Sequence, residues 1–202
     1  MRKIPSLFVR DWNGDKELVT SVVTPGSEWV TAGEGRATRK WDGTACLVRD
    51  GKLWKRYDAK GGKTPPIGWV PCQPEPDPIT GHHPGWVPIG DGPDDRWHRE
   101  GFERLKEQAA ALMMVWPAFC DGNTYELVGP AVNTNHEGFA EHRLIVHGDT
   151  FFEPEPPRDF DGLKAWFETH AVEGIVWWRE RHGPCDMVKI KRRDFGLPWP
   201  AP

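Results

Sequence analysis

The stretch from residue 64 to residue 98 restricts the fold of this chain more than any other, because nine residues between Pro65 and Pro93 are prolines. Proline fixes the backbone φ angle and has no N–H to donate, so neither a continuous helix nor a central strand is expected here. The tetrapeptide GWVP occurs twice, starting at Gly68 and at Gly85. We therefore expect an ordered surface loop that its tryptophans hold against the body of the protein.

The segment TACLVRDGKLWKRY, residues 44–57, predicts a β-hairpin. Two runs of β-forming residues flank Asp50 and Gly51, a pair that accepts the positive φ angles of a two-residue turn. Lys40 would then lie just before, or at the start of, a strand. Short apolar runs predict further strands at TYELVG, RLIVHG, EGIVWW and DMVKIK.

Two segments have the spacing of amphipathic helices. The first covers residues 99–114 and would end at Pro117, with one apolar face made of Phe102, Leu105, Ala109, Leu112 and Met113. The second is shorter, with Asp161 as its expected N-cap and an apolar face made of Leu163, Trp166, Phe167 and His170. Because strands outnumber helices, the predicted fold class is α+β, with largely antiparallel sheets and flanking helices.

Length and composition suggest one domain. A chain of 202 residues with 38% hydrophobic content can bury one core, so we expect a single domain over residues 1–202, with residues 64–98 as a loop insertion. The apolar runs are far shorter than the roughly 20 residues of a membrane span. The N-terminal segment lacks the apolar region of a secretory signal. We therefore expect a cytoplasmic protein with no membrane partner.

The four cysteines form no CxxC pair, which favours reduced thiols in a reducing compartment. A zinc site is the alternative, built either from Cys72, His82 and His83 or from His182 and Cys185. Neither set matches a standard pattern of zinc ligands.

The charge is distributed unevenly along the chain. The net charge of −4 argues against a general nucleic-acid binder. Residues 1–63, however, carry 13 basic and 8 acidic side chains, and residues 179–193 carry 6 basic and 2 acidic ones. If these two stretches meet in space, they form a cationic site on an otherwise anionic body.

Charged residues also recur in a distinctive order. KWDG at Lys40 is followed by Arg56 in the hairpin, Glu126 in YELVG, Glu173 in EGIV, and the lysines of KIK, Lys189 and Lys191. This series resembles the covalent nucleotidyltransferase superfamily of polynucleotide ligases and mRNA capping enzymes. Its signature is KxDG, a downstream arginine, a glutamate strand, an EG pair before two apolar residues, and a final KxK strand. KxDG alone recurs by chance, but five elements in this order over nearly the whole chain are specific.

The resemblance implies that Lys40 is a nucleophile that attacks the α-phosphate of a nucleotide. A lysine amine attacks only when deprotonated, and its ordinary pKa is about 10.4. Nearby cations favour the neutral amine and also neutralise phosphate charge. The candidates for this role are Arg39, Arg56, Lys189 and Lys191.

Further roles are carried over by the same resemblance. Glu126 would contact the ribose side of the nucleotide, and Glu173 would hold or orient Mg²⁺ or Mn²⁺ through its hard oxygen ligands. Arg56 would contact phosphate or ribose, while Asp42 and Gly43 would shape the turn that presents Lys40. The residue that stacks on the base stays open, with Leu144, Val146 and His147 as candidates. We interpret His142, Arg143 and His147 otherwise as surface or supporting residues.

Within the superfamily, KWDGTACLV and YELVGP look most like compact ATP-dependent RNA ligases. Eleven residues follow Lys191, so we expect no C-terminal OB-fold and a second protein could supply substrate binding. The implied reaction joins 5′-phosphate and 3′-hydroxyl RNA ends with ATP and Mg²⁺ or Mn²⁺. Tryptophans of the 64–98 loop could stack on unpaired nucleotides, although packing is the favoured interpretation.

Two other functions remain open from the sequence. One is a related nucleotidyltransferase that seals DNA nicks or uses GTP. The other is a binding module that keeps the nucleotide pocket without turnover and senses RNA ends.

Overall fold

A computed structural model of the protein describes residues 1–61, 63–114, 120–181 and 183–200, with the side chains of residues 181–185 excepted. The predicted helix end at Pro117 and the zinc alternative at His182 and Cys185 lie outside this description. In the described residues, no helix is both long enough and apolar enough to cross a membrane.

The secondary structure consists mostly of short strands. In chain order they are β1 (Phe8–Arg10), β2 (Val19–Val23), β3 (Arg36–Lys40), β4 (Thr44–Arg49), β5 (Lys52–Ala59), β6 (Val70–Pro71), β7 (His83–Pro88), β8 (Thr124–Val128), β9 (Arg143–Val146), β10 (Gly174–Arg181) and β11 (Gly183–Lys191). The helices are α1 (Glu28–Thr31), α2 (Arg96–Ala111) and α3 (Phe160–Thr169). All the paired strands named here are antiparallel, so the predicted α+β class is confirmed.

The chain divides into two compact units. The Glu126 unit contains residues 1–3 and 42–147, and the Lys40 unit contains residues 4–41 and 148–202. The prediction that they act as one domain stays a prediction.

The Glu126 unit is built on a six-stranded sheet in the order β6-β7-β5-β4-β8-β9. Side chains alternate between its two faces, and one face packs against α2 in an apolar core that includes Cys46, Leu53, Phe102, Tyr125 and Leu127. The predicted hairpin is confirmed as β4–β5, with positive φ angles at Asp50 (51°) and Gly51 (68°).

The Lys40 unit contains a three-stranded sheet in the order β11-β10-β3, with a separate β1–β2 hairpin. One face of the three-stranded sheet forms the core with α3, through residues such as Ala37, Phe167, Ile175, Trp177 and Ile190. The opposite face carries the side chains of the alternate residues.

The prediction of an irregular loop over residues 64–98 is wrong for part of the stretch, because β7 pairs with β5 along its whole length. The carbonyl of Pro84 accepts from Cys72, so the backbone of Pro84, and of Pro88 by alternation, is directed toward the outer edge of the sheet. On that side the two-residue β6 is the only strand of the described residues that pairs with β7, so a missing N–H costs little.

The tryptophans of this stretch pack onto the body, as expected. Trp86 is buried, the Trp69 indole donates to the Tyr57 carbonyl (3.3 Å), and Trp97 stacks on His142. None of these three rings is therefore arranged as an open platform for nucleotides.

The two helix predictions are confirmed with corrected details. Because α2 ends at Ala111, Leu112 and Met113 lie beyond its apolar face and are 68% and 91% exposed. The N-cap of α3 is Asp159, whose carboxylate accepts from the Gly162 N–H (2.8 Å), and Asp161 lies instead in the first turn.

Candidate functional site

The register of the three-stranded sheet places three lysines on one face. Lys40 lies opposite Gly174 on β10, and Gly174 lies opposite Lys191 on β11. The next row has the same arrangement, with Thr38, Val176 and Lys189. Because directly paired and alternate residues share a face, the side chains of Lys40, Lys189 and Lys191 lie together on the face opposite the core.

Glu173 joins two of these lysines. Its carboxylate is buried, with one oxygen bonded to Lys40 Nζ and the other, Oε1, 2.7 Å from Lys191 Nζ. One carboxylate thus orients two ammonium groups on neighbouring strands. Charge-assisted contacts of this kind hold their partners in a defined geometry.

Gly174 makes this arrangement possible through close packing. A Cβ atom at this position would lie 2.4 Å from the carbonyl oxygen of Ile190 on β11. Any other residue would push β11 away from β10. The EG pair therefore combines an acid with the one residue that lets Lys191 approach it.

Burial and the mutual repulsion of the positive charges in this cluster lower the pKa values of two of its lysines. Burial, followed by the charges of Lys191 and Lys40, lowers the pKa of Lys189 from 10.5 to about 8. Burial and then the charge of Lys40 also lower the pKa of Lys191, against the attraction of Glu173. Positive charge exceeds negative charge at this face, and a bound polyphosphate would neutralise the excess.

We expect Lys189→Met to stabilise the protein while weakening function. At neutral pH the folded protein bears the cost of a charged, partly buried Lys189, worth about 2 kcal/mol after allowance for solvent screening. Melting at pH 7 should therefore occur about 5 °C higher in the variant.

The pH dependence gives this prediction a second measurement. Between pH 8 and 10.5 only folded Lys189 releases its proton, so wild-type stability should rise with pH in this window and the variant should lack the rise. A variant that melts below wild type at pH 7 would contradict the account.

Arg39 differs from the other predicted neighbours of Lys40. By alternation its side chain leaves β3 on the face opposite Lys40, and its guanidinium lies 4.1 Å from the ring centroid of Trp41. A direct role beside the amine therefore has less support for Arg39 than for Lys189 and Lys191.

The Glu126 unit holds a second group of predicted site residues. Glu126 is buried, and its carboxylate accepts from the Gly43 N–H (3.1 Å) through Oε1. The other oxygen lies 2.7 Å from His147 Nε2, and His147 Nδ1 lies 3.0 Å from the Thr124 hydroxyl. Glu126 is thus fixed from both sides.

The backbone at Gly43 packs so closely against β8 that there is no room for a side chain. A Cβ atom here would lie 2.1 Å from the Leu127 carbonyl oxygen and 2.8 Å from Glu126 Cγ. We expect Gly43→Ala to displace β8 and cost about 2 kcal/mol of stability, measured by denaturant unfolding. Gly61→Ala is the matched control, because no atom lies within 4 Å of a Cβ added there. Equal stability of the two variants would contradict this role of Gly43.

Asp42 is held by a strained turn. Its carboxylate accepts from Asn133 Nδ2 (3.0 Å) and lies 3.0 Å from His136 Nδ1, while its N–H donates to Glu137 (3.0 Å). Three consecutive residues of this turn, 133–135, have positive φ angles of 44°, 60° and 55°. Such backbone strain persists only where surrounding contacts enforce it, and it concentrates at functional sites.

Arg56 shares a sheet face with Glu126. The register of β5, β4 and β8 places Arg56, Ala45 and Glu126 in one row, so Arg56 and Glu126 lie about 10 Å apart across β4. In this structure the Arg56 guanidinium bonds to Asp58 (2.8 Å) and to the Met1 carbonyl (2.7 Å). The side chain would have to leave these partners to contact a ligand.

The structure therefore gathers the predicted residues in two groups. Lys40, Glu173, Lys189 and Lys191 form the group of the Lys40 unit, and Asp42, Gly43 and Glu126 form a group of the Glu126 unit.

Two of the three residues considered for stacking on the base, Leu144 and Val146, face the core. Leu144 is buried in the apolar core around α2 and Val146 packs against this core, so neither is arranged to stack on a base.

Several partners of these groups were not predicted. His147, interpreted as a surface or supporting residue, contacts Glu126 directly, and His142 is buried. The NTNHE turn at residues 133–137 has no sequence signal of its own, although asparagine tolerates positive φ angles better than most residues.

A resident metal ion has little support from the described side chains. Among them, no cluster of three or more histidine, cysteine, aspartate or glutamate residues could hold a metal, so the zinc set Cys72, His82 and His83 is not formed. Glu173 supplies one hard carboxylate, already shared by two lysines. Its chemistry fits a divalent ion that arrives with a polyphosphate and keeps other oxygen ligands.

Comparisons with known proteins give a consistent result. A family model for RNA ligase 1 matches residues 65–202. RNA ligase 1 of Mus musculus is 26% identical over 274 residues, covering 100% of this chain and 82% of the mouse protein. RNA ligase 1 of Danio rerio is 28% identical over 256 residues, covering 95% and 77%. The mouse alignment includes Lys40, which lies outside the family-model match.

Proposed function

Because the chain belongs to the RNA ligase 1 family, we propose that it joins a 5′-phosphate to a 3′-hydroxyl RNA end, using ATP and a lysine-bound AMP. The observation that carries this proposal is the convergence of Lys40, Glu173, Lys189 and Lys191 on one sheet face. A nucleophilic amine beside two further cations and one acid suits attack on a triphosphate.

The first step forms the covalent intermediate. Lys40 Nζ attacks the α-phosphorus of ATP, the new P–N bond forms, the bond from the α-phosphorus to the bridging oxygen breaks, and pyrophosphate leaves. Lys40 must first release a proton to solvent for this attack, and the positive charges of Lys189 and Lys191 favour that release. The same two cations would neutralise charge on the phosphates.

The next two steps join the RNA. A 5′-phosphate oxygen of RNA attacks the AMP phosphorus, the P–N bond breaks, and Lys40 regains its proton. The 3′-hydroxyl of the second RNA end then loses its proton to solvent and attacks the 5′-phosphate phosphorus. The bond from this phosphorus to the oxygen that bridges it to AMP breaks, and AMP leaves as the phosphodiester forms. Positioning and charge neutralisation supply most of the rate in such transfers.

Glu173 has two roles in this proposal. It orients Lys40 and Lys191 before the nucleotide binds, and it would be one oxygen ligand of Mg²⁺ or Mn²⁺ brought with ATP. When bound, that ion neutralises phosphate charge.

The resemblance also assigns nucleotide contacts to residues of the Glu126 unit. Glu126, fixed by Gly43 and His147, is suited to accept from ribose hydroxyls. Arg56 would contact phosphate or ribose once released from Asp58. Asp42 and its strained turn would hold the segment that follows Lys40 in the chain. In the described residues, the thiols of Cys46, Cys72 and Cys120 are free, which fits the reducing cytoplasm where we place the reaction.

The proposal is tested with labelled nucleotides and two polymers. The protein is incubated with Mg²⁺ and either α-labelled ATP or GTP, and the label is followed on denaturing gels. Single-stranded RNA with a 5′-phosphate and a nicked DNA duplex are then offered side by side. We expect label from ATP and joining of RNA.

Two other results would favour the alternative functions. Label from GTP, or preferential sealing of the DNA nick, would assign the chain to a different nucleotidyltransferase. RNA binding with neither nucleotide attached would favour a silent RNA-end sensor.

A further inference from the structure

We propose that Arg36 and Phe151, which we call the Arg36–Phe151 platform, hold an unpaired nucleotide of the RNA substrate beside the reacting phosphate. This inference rests on the proposed function and names the polymer form that the site accepts, namely single-stranded RNA at the joined end.

Phe151 of the platform is bonded along the edge of β3 that β10 does not occupy. Phe151 forms an antiparallel bridge with Thr38. On either side of it, the Arg39 N–H donates to the Thr150 carbonyl (2.8 Å) and the Phe152 N–H donates to the Ala37 carbonyl (3.3 Å). The short segment 150–152 thus continues the sheet by a further strand position.

The same register sets the face on which the ring lies. Directly paired residues share a face, so Phe151 lies on the face of Thr38, and alternation adds Arg36 and Lys40 to it. Lys40 is two residues, about 7 Å, along β3 from Thr38. The ring is therefore one row away from the nucleophile, on the surface that also carries Lys189 and Lys191.

The chemistry of the platform matches a nucleotide. The Arg36 guanidinium lies 3.7 Å from the centroid of the Phe151 ring, and Phe151 remains 41% exposed. Within the described part of the chain, Arg36 has no carboxylate close enough for an ion pair, so its charge is available. A flat apolar surface joined to an uncompensated cation can stack on a base and contact a phosphate.

The setting favours RNA over other partners. The platform continues the cationic face on which Lys40 lies, and a strand whose 5′-phosphate reaches Lys40 must pass over neighbouring surface. Bases inside a duplex are already stacked, so the platform selects unpaired ends. The other candidate ligand is the adenine of ATP itself, which the following experiment separates from RNA.

Three variants of the full-length protein test the platform. Phe151→Leu removes the flat ring but keeps apolar contact with Arg36, Arg36→Gln removes the charge, and Phe151→Trp retains a stacking surface. Arg49→Gln is the matched control, because Arg49 is also an exposed arginine near an aromatic ring, 5.9 Å from Trp54, in the other unit.

Two reactions are measured for each variant. The first is AMP attachment to Lys40, which requires no RNA. The second is transfer of AMP to single-stranded RNA with a 5′-phosphate, together with the affinity for that RNA by fluorescence anisotropy. We expect normal AMP attachment in all variants. The KM for RNA should rise about 5- to 100-fold in Phe151→Leu, which corresponds to the loss of one base–aromatic stack, and rise in Arg36→Gln.

In the control variants Arg49→Gln and Phe151→Trp, the KM and the affinity for RNA should stay close to the wild-type values. Three results would overturn the platform: unchanged RNA affinity in Phe151→Leu, equal losses in Arg36→Gln and Arg49→Gln, or slowed AMP attachment in Phe151→Leu, which would assign the ring to ATP. If wild type attaches no AMP, the proposed function fails, while RNA affinity still decides on the platform.

Discussion

Lys40→Ala protein is expected to form no AMP adduct with ATP and Mg²⁺ while remaining folded. No other described lysine has the same position, because Lys40 alone shares Glu173 with Lys191 at the end of β3. The fold should persist, since Glu173 keeps its bond to Lys191 in the variant. The measurement is acid-labile label on denaturing gels, beside a melting curve.

Two controls make this result specific to the amine. Lys164→Ala changes an exposed lysine of α3 in the same unit and should attach AMP at the wild-type rate. Lys40→Arg keeps a positive charge but offers a guanidinium that does not lose its proton, so it should also form no adduct. Residual adduct in either Lys40 variant would assign the nucleophile to another residue.

Glu173→Gln is expected to show the second largest effect, on both activity and stability. The substitution removes the carboxylate that contacts both Lys40 and Lys191, and so takes a counter-charge away from two partly buried cations. Loss of one partner from such a buried group costs about 3 kcal/mol. AMP attachment should fall about 100-fold or more, because Lys40 and Lys191, to which we assign nucleophilic attack and phosphate binding, lose their orientation.

A second substitution separates these two effects. Adding Lys40→Met to Glu173→Gln removes one of the two cations that lose the Glu173 counter-charge, so unfolding in denaturant should show stability recovered by about 1–2 kcal/mol. Activity should stay absent. If the double variant is as unstable as the sum of the two single variants, the ion pair does not contribute as described.

The sequence predicts strands β4, β5 and β8 to β11, because their signals are local, whereas β1 to β3, β6 and β7 are not predicted. The Asp50–Gly51 turn and the alternating runs around it specify a hairpin without reference to the rest of the chain. The order of charged motifs, through the resemblance that it carries, likewise predicts that Lys40, Glu173 and Lys191 belong together.

The features that the sequence does not predict are those that depend on strand register and strand order. Whether Arg39 or Lys40 belongs to the functional face is decided by pairing with β10, and a shift by one residue would exchange them. Similarly, Pro84 and Pro88 are tolerated in β7 because their backbone is directed toward a nearly unpaired edge, which cannot be seen before the sheet order is known. His147 meets Glu126 only because β9 returns beside β8.

The most direct test of the central claim is peptide mapping by mass spectrometry after incubation of the protein with ATP and Mg²⁺. We predict one added AMP per chain, carried by the peptide that contains KWDG and attached at Lys40. An AMP found on any other residue, or intact protein with no added mass while RNA is still joined, would contradict the account.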